Sequence, residues 1–184
     1  MQKIIITILG QDRPGIIAAV TQSLYEFDAN VENISQTILQ SEFAGIFILS
    51  LPDAVSADTV AETLNADLNP LHLHAHVKQL DPDMLPAAAP PTEPFIVAAS
   101  GPDNKGLVAA VTRVFADFKI NVKNLQAVFK GGENPNANSM VYELEIPTNI
   151  DYGIFSRTLK ETGKTLGLEI SIQHKNIFDR VTRI

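Results

Sequence analysis

The fold is decided by the stretch Gly10-Gln11-Asp12-Arg13-Pro14-Gly15, which is followed by an apolar segment and then by Asn30-Val31-Glu32-Asn33. This order predicts the end of a strand, a tight turn, a helix and the start of a second strand. The apolar residues of the segment recur at helical spacing and line one predicted helix face: Ile17, Val20, Leu24 and Phe27.

The start of this helix has the composition of a small-anion site. We predict Pro14 in the first turn, where a missing N–H breaks no hydrogen bond, and Asp12 as the residue that accepts from the first free amides. Gly10 and Gly15 allow a sharp turn and place no side chain over those amides. The positive end of the helix dipole therefore predicts binding of a carboxylate or another small anion.

The same stretch occurs twice. A shift of 91 residues, with no gap, matches two sets of identical residues: Gly10, Asp12, Gly15, Ala18, Ala19, Val20, Thr21, Phe27, Asn30, Val31 and Asn33, and then Gly101, Asp103, Gly106, Ala109, Ala110, Val111, Thr112, Phe118, Asn121, Val122 and Asn124. The helical face is repeated by Val108, Val111, Phe115 and Phe118. Such self-similarity indicates a tandem duplication, and it predicts two domains.

We expect the first domain at residues 1–80, a linker at 81–94, and the second domain with a C-terminal tail at 95–184. The linker is rich in proline and alanine and is therefore expected to be extended and fairly stiff. Each copy predicts the order βαββαβ. In the first copy strands are expected at 3–9, 31–40, 43–51 and 71–80, with helices at 14–28 and from a Ser56 cap. In the second, strands are expected at 95–100, 120–130, 139–146 and 168–174, with helices at 106–118 and from an Asp151 cap to Gly167.

The distribution of apolar residues predicts the strand order. Strands one and three of the first copy are apolar on both faces, whereas strands two and four are half polar, as edge strands are. This favours the ferredoxin-like order 4-1-3-2. The predicted fold class is therefore α+β, with two antiparallel sheets that each carry helices on one face. The other face of each sheet retains Ile, Leu and Phe, and we expect a second sheet surface or a partner to cover it.

Composition limits the classes of function. The net charge of −7 and the pI of about 5.0 make direct binding of nucleic acid unfavourable. The absence of cysteine excludes disulfides, thiolate metal sites and cysteine nucleophiles. No apolar run is long enough to span a membrane, and the short run after Lys3 is not a signal peptide because Asp12 and Arg13 follow it. We expect a cytoplasmic protein.

No catalytic motif is present. The chain has no Gly-x-Ser-x-Gly elbow and no phosphate-binding glycine loop, so the sequence predicts neither an enzyme nor a cofactor. His72, His74 and His76 alternate along the predicted fourth strand, and a metal is one interpretation of this spacing. A solvated strand face is the favoured interpretation, because the second copy has Glu169, Ser171 and Gln173 in the equivalent alternation.

The pattern Gly10-x-Asp12-x-Pro14-Gly15, then Ala18-Ala19-Val20, then Asn30-x-x-Asn33, on a βαββαβ order, resembles the ACT domain. Two such domains without an attached enzyme resemble the regulatory proteins related to the glycine cleavage system transcriptional repressor. In ACT proteins two domains usually pair, side by side or sheet face to face, and amino-acid effectors bind in the crevice between them. The resemblance implies two sets of ligand-binding residues: Asp12, Arg13, Pro14, Gly15, Ile16, Asn30, Val31 and Asn33, and then Asp103, Asn104, Lys105, Gly106, Leu107, Asn121, Val122 and Asn124.

The chemistry of these residues suits a zwitterion. The amides of Gly15 and Ile16 suit a carboxylate, and an amide oxygen of Asn30 or Asn33 suits an ammonium. In the second copy Asn104-Lys105 replaces Arg13-Pro14, so we expect the first loop to be the better site. Structural roles remain as alternatives: Asp12 as a helix cap, the glycines as packing positions, and the asparagines as turn formers.

The resemblance implies a non-enzymatic regulator that binds a small amino-acid effector, forms a homodimer and acts on a protein partner. We expect it to regulate amino-acid or one-carbon metabolism, and transcription of the glycine cleavage system through a DNA-binding partner. Two alternatives stay open: a detached regulatory subunit of a metabolic enzyme, and an assembly module without a ligand.

Overall fold

The computed structural model describes residues 1–81, 90–128 and 138–176. Contacts between residues divide the chain into two compact units, Met1–Ala87 and Ala88–Ile184. Two sequence predictions lie largely outside the described residues: most of the linker and the C-terminal tail.

The first unit has the predicted order βαββαβ. Its elements are β1 (Gln2–Gln11), α1 (Ile16–Tyr25), β2 (Asn30–Leu39), β3 (Glu42–Leu51), α2 (Ala57–Leu68) and β4 (Leu73–Leu80). The sheet has the order β2-β3-β1-β4 and every neighbouring pair is antiparallel. This is the predicted order 4-1-3-2, so the fold class is confirmed for this unit.

The core of the first unit lies between the sheet and its two helices. Alternate residues of β1, namely Ile4, Ile6 and Ile8, are almost completely buried beneath the helices. Val20 and Leu24 of α1 are buried as predicted, while Ile16 is buried more deeply than the predicted Ile17. The predicted stripe of α2 completes the layer with Val60, Leu64 and Leu68, all fully buried. Burial of each such side chain stabilises the fold by roughly 1.5–3 kcal/mol.

The second unit repeats this plan. Its elements are β5 (Thr92–Gly101), α3 (Leu107–Asp117), β6 (Asn121–Val128), β7 (Asn138–Pro147), α4 (Tyr152–Leu166) and β8 (Glu169–His174), in the antiparallel sheet order β6-β7-β5-β8. Its core is more aromatic, because Phe115 packs edge-on against Tyr142 with ring centroids 5.2 Å apart. Desolvation raises the pKa of Tyr142 to about 12, so its hydroxyl is neutral at physiological pH.

Several element boundaries differ from the predictions, and α1 ends at Tyr25 instead of residue 28. β5 begins at Thr92, three residues before the predicted start, because the chain already pairs with β7 from Thr92 opposite Pro147. The strand predicted at 71–80 begins only at Leu73, since Asn69–Leu71 forms a turn of 3-10 helix that ends at His72. His72 has a left-handed backbone, with φ of 58°, and so lies outside the strand.

The caps predicted for the second helix of each unit are confirmed. The Ser56 side chain accepts a hydrogen bond from the Thr59 amide at 3.1 Å. The Asp151 carboxylate accepts from the Ile154 amide at 3.0 Å, and Gly167 ends α4 in the left-handed conformation, with φ of 72°. In the described residues, no helix has both the length and the apolar character needed to cross a membrane.

We predict that Gly10→Ala destabilises the first unit by about 1–3 kcal/mol, since the new methyl would overpack a backbone contact. A Cβ at Gly10 would lie 2.5 Å from the carbonyl oxygen of His72. Gly101→Ala is the matched change in the second unit, where the Cβ would lie 2.7 Å from the carbonyl oxygen of Gly167. Urea unfolding measures both, and a wild-type midpoint for either variant would contradict the close approach.

Candidate functional site

The candidate site begins at the N-terminus of α1. Gly15 is the N-cap residue, with a left-handed φ of 95°, and no side chain caps the helix. The predicted roles of Asp12 as cap and Pro14 as first-turn residue are therefore wrong, because the helix begins two residues after Pro14. Asp12 instead donates its backbone amide to the Ser41 carbonyl at 2.8 Å, which ties the loop to the turn between β2 and β3. The first amides of α1 are left free of side-chain caps.

The second unit has the same helix start. Gly106 precedes α3 with φ of 86° and no side chain caps this helix. A Cβ at Gly15 or Gly106 would meet no atom within 4 Å, so the alternative that these glycines permit close packing is wrong. Glycine is required at these positions for its backbone conformation, because other residues rarely adopt a positive φ of this size. The glycines therefore hold an open, uncapped helix end in both units.

An open cleft of about 490 Å³ adjoins the α1 N-terminus. Its lining contains four of the predicted residues and four that the sequence interpretation missed: Asp12, Arg13, Gly15 and Ile16, and then Ile17, Ala18, Gln36 and Phe43. Arg13 is exposed and its Nη1 donates to the Leu71 carbonyl at 3.4 Å. Gln36 and Phe43 were missed because they reach the cleft through strand register, which pairs Phe43 with Gly10.

The corresponding cleft of the second unit, about 500 Å³, has a different wall. It is lined by Asp103, Asn104, Gly106, Leu107, Val108 and Ala109. The shift of 91 residues aligns Gln36 of the first unit with Ala127 of the second. In the first unit Phe43 is paired with Gly10, whereas in the second unit the buried Asn138 is paired with Gly101. The two clefts therefore share a backbone but differ in the side chains around it.

The asparagines at the start of β2 lie far from this loop within one unit. Asn30 pairs with Ser50, and Ser50 with Lys3 near the start of β1, whereas the loop follows Gly10 at the other end. The seven strand positions from Lys3 to Gly10 correspond to roughly 23 Å. The first unit alone does not bring Asn30, Val31 and Asn33 to the cleft. The same register separates Asn121, Val122 and Asn124 from the second loop.

Both edge strands are irregular at these asparagines. Register shifts between Val31 and Asn33 in β2 and between Val122 and Asn124 in β6, which is the signature of a β-bulge. In β2 the bulged residue, Glu32, forms an ion pair with Lys3 at 2.7 Å. The duplication has thus retained a bulge as well as a helix start.

The second unit adds a polar network to its asparagine. Asn124 donates its side-chain amide to Glu143 Oε1 at 3.3 Å, and Lys175 Nζ donates to Glu143 Oε2 at 2.7 Å. These hydrogen bonds, chiefly that from Lys175, lower the pKa of Glu143 below its ordinary value. In the first unit the residue paired with Asn33 is Ile48, which has no polar side-chain group. The side-chain amide of Asn124 therefore has a hydrogen-bond partner in Glu143, whereas Ile48 cannot form such a bond with Asn33.

The three histidines do not share one strand. His74 and His76 lie on one face of β4, paired with Leu9 and Thr7 of β1, but His72 lies before the strand. In the described part of the chain, no three histidine, cysteine or acidic side chains are grouped closely enough to hold a metal ion.

Comparison with known protein families and proteins identifies relatives of this chain. Residues 2–78 match the model of the ACT domain. A UPF0237 protein of Methanopyrus kandleri is 42% identical over 65 residues, which cover 35% of this chain and 72% of the relative. A UPF0237 protein of Methanosarcina acetivorans is 31% identical over 91 residues, which cover 49% of this chain and 95% of the relative. The first unit is an ACT domain, and the chain belongs to the family of these UPF0237 proteins. The resemblance inferred from the Gly10–Asn33 stretch is thereby confirmed.

Two solved structures share the fold of the whole chain. One is an unknown protein from Galdieria sulphuraria, with a TM-score of 0.75 and 23% identity over 94% of this chain and 98% of that one. The other is a candidate glycine cleavage system transcriptional repressor, with a TM-score of 0.66 and 20% identity over 94% of this chain and 96% of that one. These likenesses show that each of the two units has a fold found in solved structures.

The family establishes a general function. ACT domains are regulatory modules that bind amino acids and often oligomerise, and the chain is accordingly a regulatory protein of this family. In each unit an uncapped helix end lies beside an open cleft.

We predict that Lys175→Met raises the pKa of Glu143 towards the ordinary glutamate value, because it removes the main hydrogen bond to the carboxylate. A depressed folded-state pKa stabilises the fold above the pKa of the unfolded chain, and this stabilisation is lost as the pH falls through the folded-state value. Carbon-13 NMR of the carboxyl group measures the pKa. Lys160→Met in α4 makes the same change of charge elsewhere, and an equal shift in both variants would contradict the assignment to Lys175.

Proposed function

We propose that this chain is a non-catalytic amino-acid sensor whose effector binds against the loop from Asp12 to Ile16. The observation that carries the proposal is the uncapped start of α1 at Gly15 beside a cleft of about 490 Å³. Free amides and the helix dipole favour a carboxylate at this point by about 0.3–1 kcal/mol for the dipole alone at an exposed site. The cleft has room for a small amino acid.

The rest of the effector contacts the side chains around the amides. Arg13 adds a positive charge on the carboxylate side, and the amide of Gln36 offers both a donor and an acceptor. Asn30, Val31 and Asn33 complete the site from a paired domain in a homodimer, because strand register holds them roughly 17–23 Å from the loop within one unit.

The second loop is the weaker site in this proposal. Asn104 and Lys105 replace Arg13 and Pro14, and the position equivalent to Gln36 is occupied by Ala127. Its ligand residues are Asp103, Asn104, Lys105, Gly106 and Leu107, with Asn121, Val122 and Asn124 from the paired domain. The engagement of Asn124 by Glu143 competes with an effector for the same amide, which further favours the first loop.

The regulator acts through a protein partner. Its charge of −7 opposes contact with a phosphate backbone, so control of transcription needs a DNA-binding protein between the effector and the gene. The shared fold with a candidate glycine cleavage system transcriptional repressor supports regulation of amino-acid or one-carbon metabolism, with the glycine cleavage system as the proposed target. Effector binding changes the affinity for that partner, and by linkage the partner changes the affinity for the effector.

Isothermal titration with the twenty amino acids, beginning with glycine and serine, tests the proposal. We expect at least one to bind the wild-type chain, and we expect Gly15→Leu to weaken that binding at least about 10-fold, since the side chain would enter the cleft. Circular dichroism shows whether the variant remains folded.

Gly106→Leu is the matched control, because it carries the same positive-φ strain at the second loop. It should leave the dominant affinity intact. Absence of heat with all twenty amino acids, or equal loss in both variants, would overturn the assignment to the first loop.

A further inference from the structure

The second unit has a cavity at the end of its sheet that lies opposite the loop after Gly101. It is formed where β5 begins, β7 ends and α4 starts, and its volume of about 310 Å³ is within the range of small-molecule pockets. Apolar side chains and one carboxylate line it together: Phe95, Ile146, Ile150 and Tyr152, and then Glu93. None of these residues belongs to the candidate site at the helix start, so the cavity needs a separate interpretation.

Two aromatic rings form a wall of this cavity. The rings of Phe95 and Tyr152 have centroids 5.3 Å apart and an interplanar angle of 31°, and Tyr152 is also in ring contact with Phe155 at 6.3 Å. Tyr152 is nevertheless 41% exposed, so part of its ring is accessible to a ligand. Burial of the rest raises the pKa of Tyr152 above its ordinary value, and its hydroxyl is neutral at physiological pH. The electron-rich face of such a ring attracts cations.

The carboxylate of Glu93 lies on the same side of the sheet as these rings. Glu93, Phe95 and Val97 alternate along β5 and therefore share one face, and Val97 is fully buried in the core between the sheet and the helices. Glu93 is exposed, and its side chain forms no hydrogen bond or ion pair with another residue that the structure describes. An unpaired carboxylate beside an aromatic wall favours a positive charge.

The charges around the cavity are mainly negative. Asp151 caps α4 at the residue before Tyr152, and Glu145 lies near the end of β7. Asp117 and Lys119 line an adjoining cleft, where their opposite charges offset each other. The local charge therefore favours a cation in the cavity and disfavours an anion.

The first unit has a different arrangement at the equivalent position. The shift of 91 residues aligns Gln2 with Glu93, and the side-chain amide of Gln2 donates a hydrogen bond to the carbonyl group of Val55. Val55 corresponds to Ile150, because the amide of each donates to the carbonyl group of a proline three residues earlier. A carboxylate has no hydrogen to donate, so Glu93 cannot form the equivalent bond to Ile150.

The two rings have no aromatic counterparts in the first unit. Phe95 takes the position of Ile4 under the shift of 91 residues, and Tyr152 follows its helix cap as Ala57 follows Ser56. The second unit therefore has an unpaired carboxylate where the first has a bridging amide, and aromatic residues where the first has aliphatic ones. All three differences favour a cation.

We propose that this cavity binds an organic cation, with its ammonium or guanidinium group between the Glu93 carboxylate and the Tyr152 ring. The apolar stem of the cation packs against Phe95 and Ile150. A free amine and a lysine or arginine side chain of a protein partner share this chemistry. The inference concerns a second site and is independent of the amino-acid effector of the proposed function.

Titration followed by NMR tests the site with two cations, butylammonium and butylguanidinium. Neither has a carboxylate, so neither has the group expected to bind the amides at Gly15. We expect both to shift the ring signals of Phe95 and Tyr152, with saturation at millimolar concentrations. Neutral butanol should bind at least about 10-fold more weakly, because it forms neither the ion pair nor the cation–π contact, and butyrate should not shift these signals. Equal binding of butanol, or no saturable shift with either cation, would overturn the proposal.

The role of the carboxylate is measured with Glu93→Gln, which introduces the residue of the first unit. It should weaken the binding of butylammonium at least about 10-fold, since it removes the charge. Glu161→Gln is the matched control, because Glu161 is exposed on α4 and lies roughly 13 Å along the helix from Tyr152. It should leave the affinity unchanged. Equal effects of the two changes would contradict the assignment to Glu93.

The role of the ring is measured with two changes at Tyr152. Tyr152→Leu should reduce the preference for butylammonium over butanol, whereas Tyr152→Phe, which keeps the ring, should retain it. Circular dichroism shows whether each variant remains folded. A preference that survives Tyr152→Leu unchanged would contradict the contact with the ring.

Arginine and lysine blocked at both ends, as N-acetyl amides, separate the two sources of the cation. Binding of the blocked residues as tightly as the butyl cations indicates a side chain of a protein partner, and binding of the butyl cations alone indicates a free amine. Both results support the site. Glu93→Gln should leave the amino-acid affinity of the first loop unchanged, so a failure of the cation site is distinguishable from a failure of the effector proposal.

Discussion

The structure depends on the close contact between a glycine at the end of β1 or β5 and a carbonyl group that precedes the fourth strand of the same unit. At Gly10 a side-chain carbon would lie 2.5 Å from the His72 oxygen, and at Gly101 it would lie 2.7 Å from the Gly167 oxygen. Only glycine permits this approach. The contact fixes where the central strand ends, and therefore where the chain turns into the first helix of the unit.

This turn explains why the first helix of the unit begins without a side-chain cap. The chain has only four residues between Gly10 and Gly15 in which to leave the sheet, and Gly15 completes the turn with a left-handed backbone. The second helix of each unit begins differently, with Ser56 or Asp151 as a side-chain cap. Both kinds of helix start occur in both units. The absence of a side-chain cap is therefore a repeated feature of the turn that follows β1 and β5. A cap from Asp12 would have filled the position that a ligand carboxylate requires.

The sequence predicted the fold well because its signals are local or repeated. The spacing of Val20 and Leu24, the caps at Ser56 and Asp151, and the gap-free shift of 91 residues each needed only neighbouring positions. The predictions were wrong where tertiary contacts determine the start of a helix or a strand. Proline in the first helical turn is common, yet the Asp12 amide bonds to Ser41 and the helix begins two residues beyond Pro14. His72 alternates with strand residues in the sequence, but a 3-10 turn removes it from β4.

The candidate site was predictable only in part, for a related reason. The loop from Asp12 to Ile16 is one sequence segment, so its glycines and amides could be identified together. Gln36 and Phe43 reach the cleft through the pairing of β3 with β1 and β2, and no local pattern marks them. Asn30 and Asn33 were joined to the loop by resemblance alone, and register separates them by the length of β1.

The two units share some parts of the candidate site and differ in others. The glycine-led helix start and the bulge at the edge strand are common to both units. The cleft wall is not, since Gln36 and Phe43 of the first unit correspond to Ala127 and Asn138 of the second. Backbone amides recognise the carboxylate that all amino acids share, whereas a wall of side chains distinguishes one amino acid from another. Under the proposed function, the two clefts therefore share the recognition of a carboxylate and differ in the side chains that would select one amino acid.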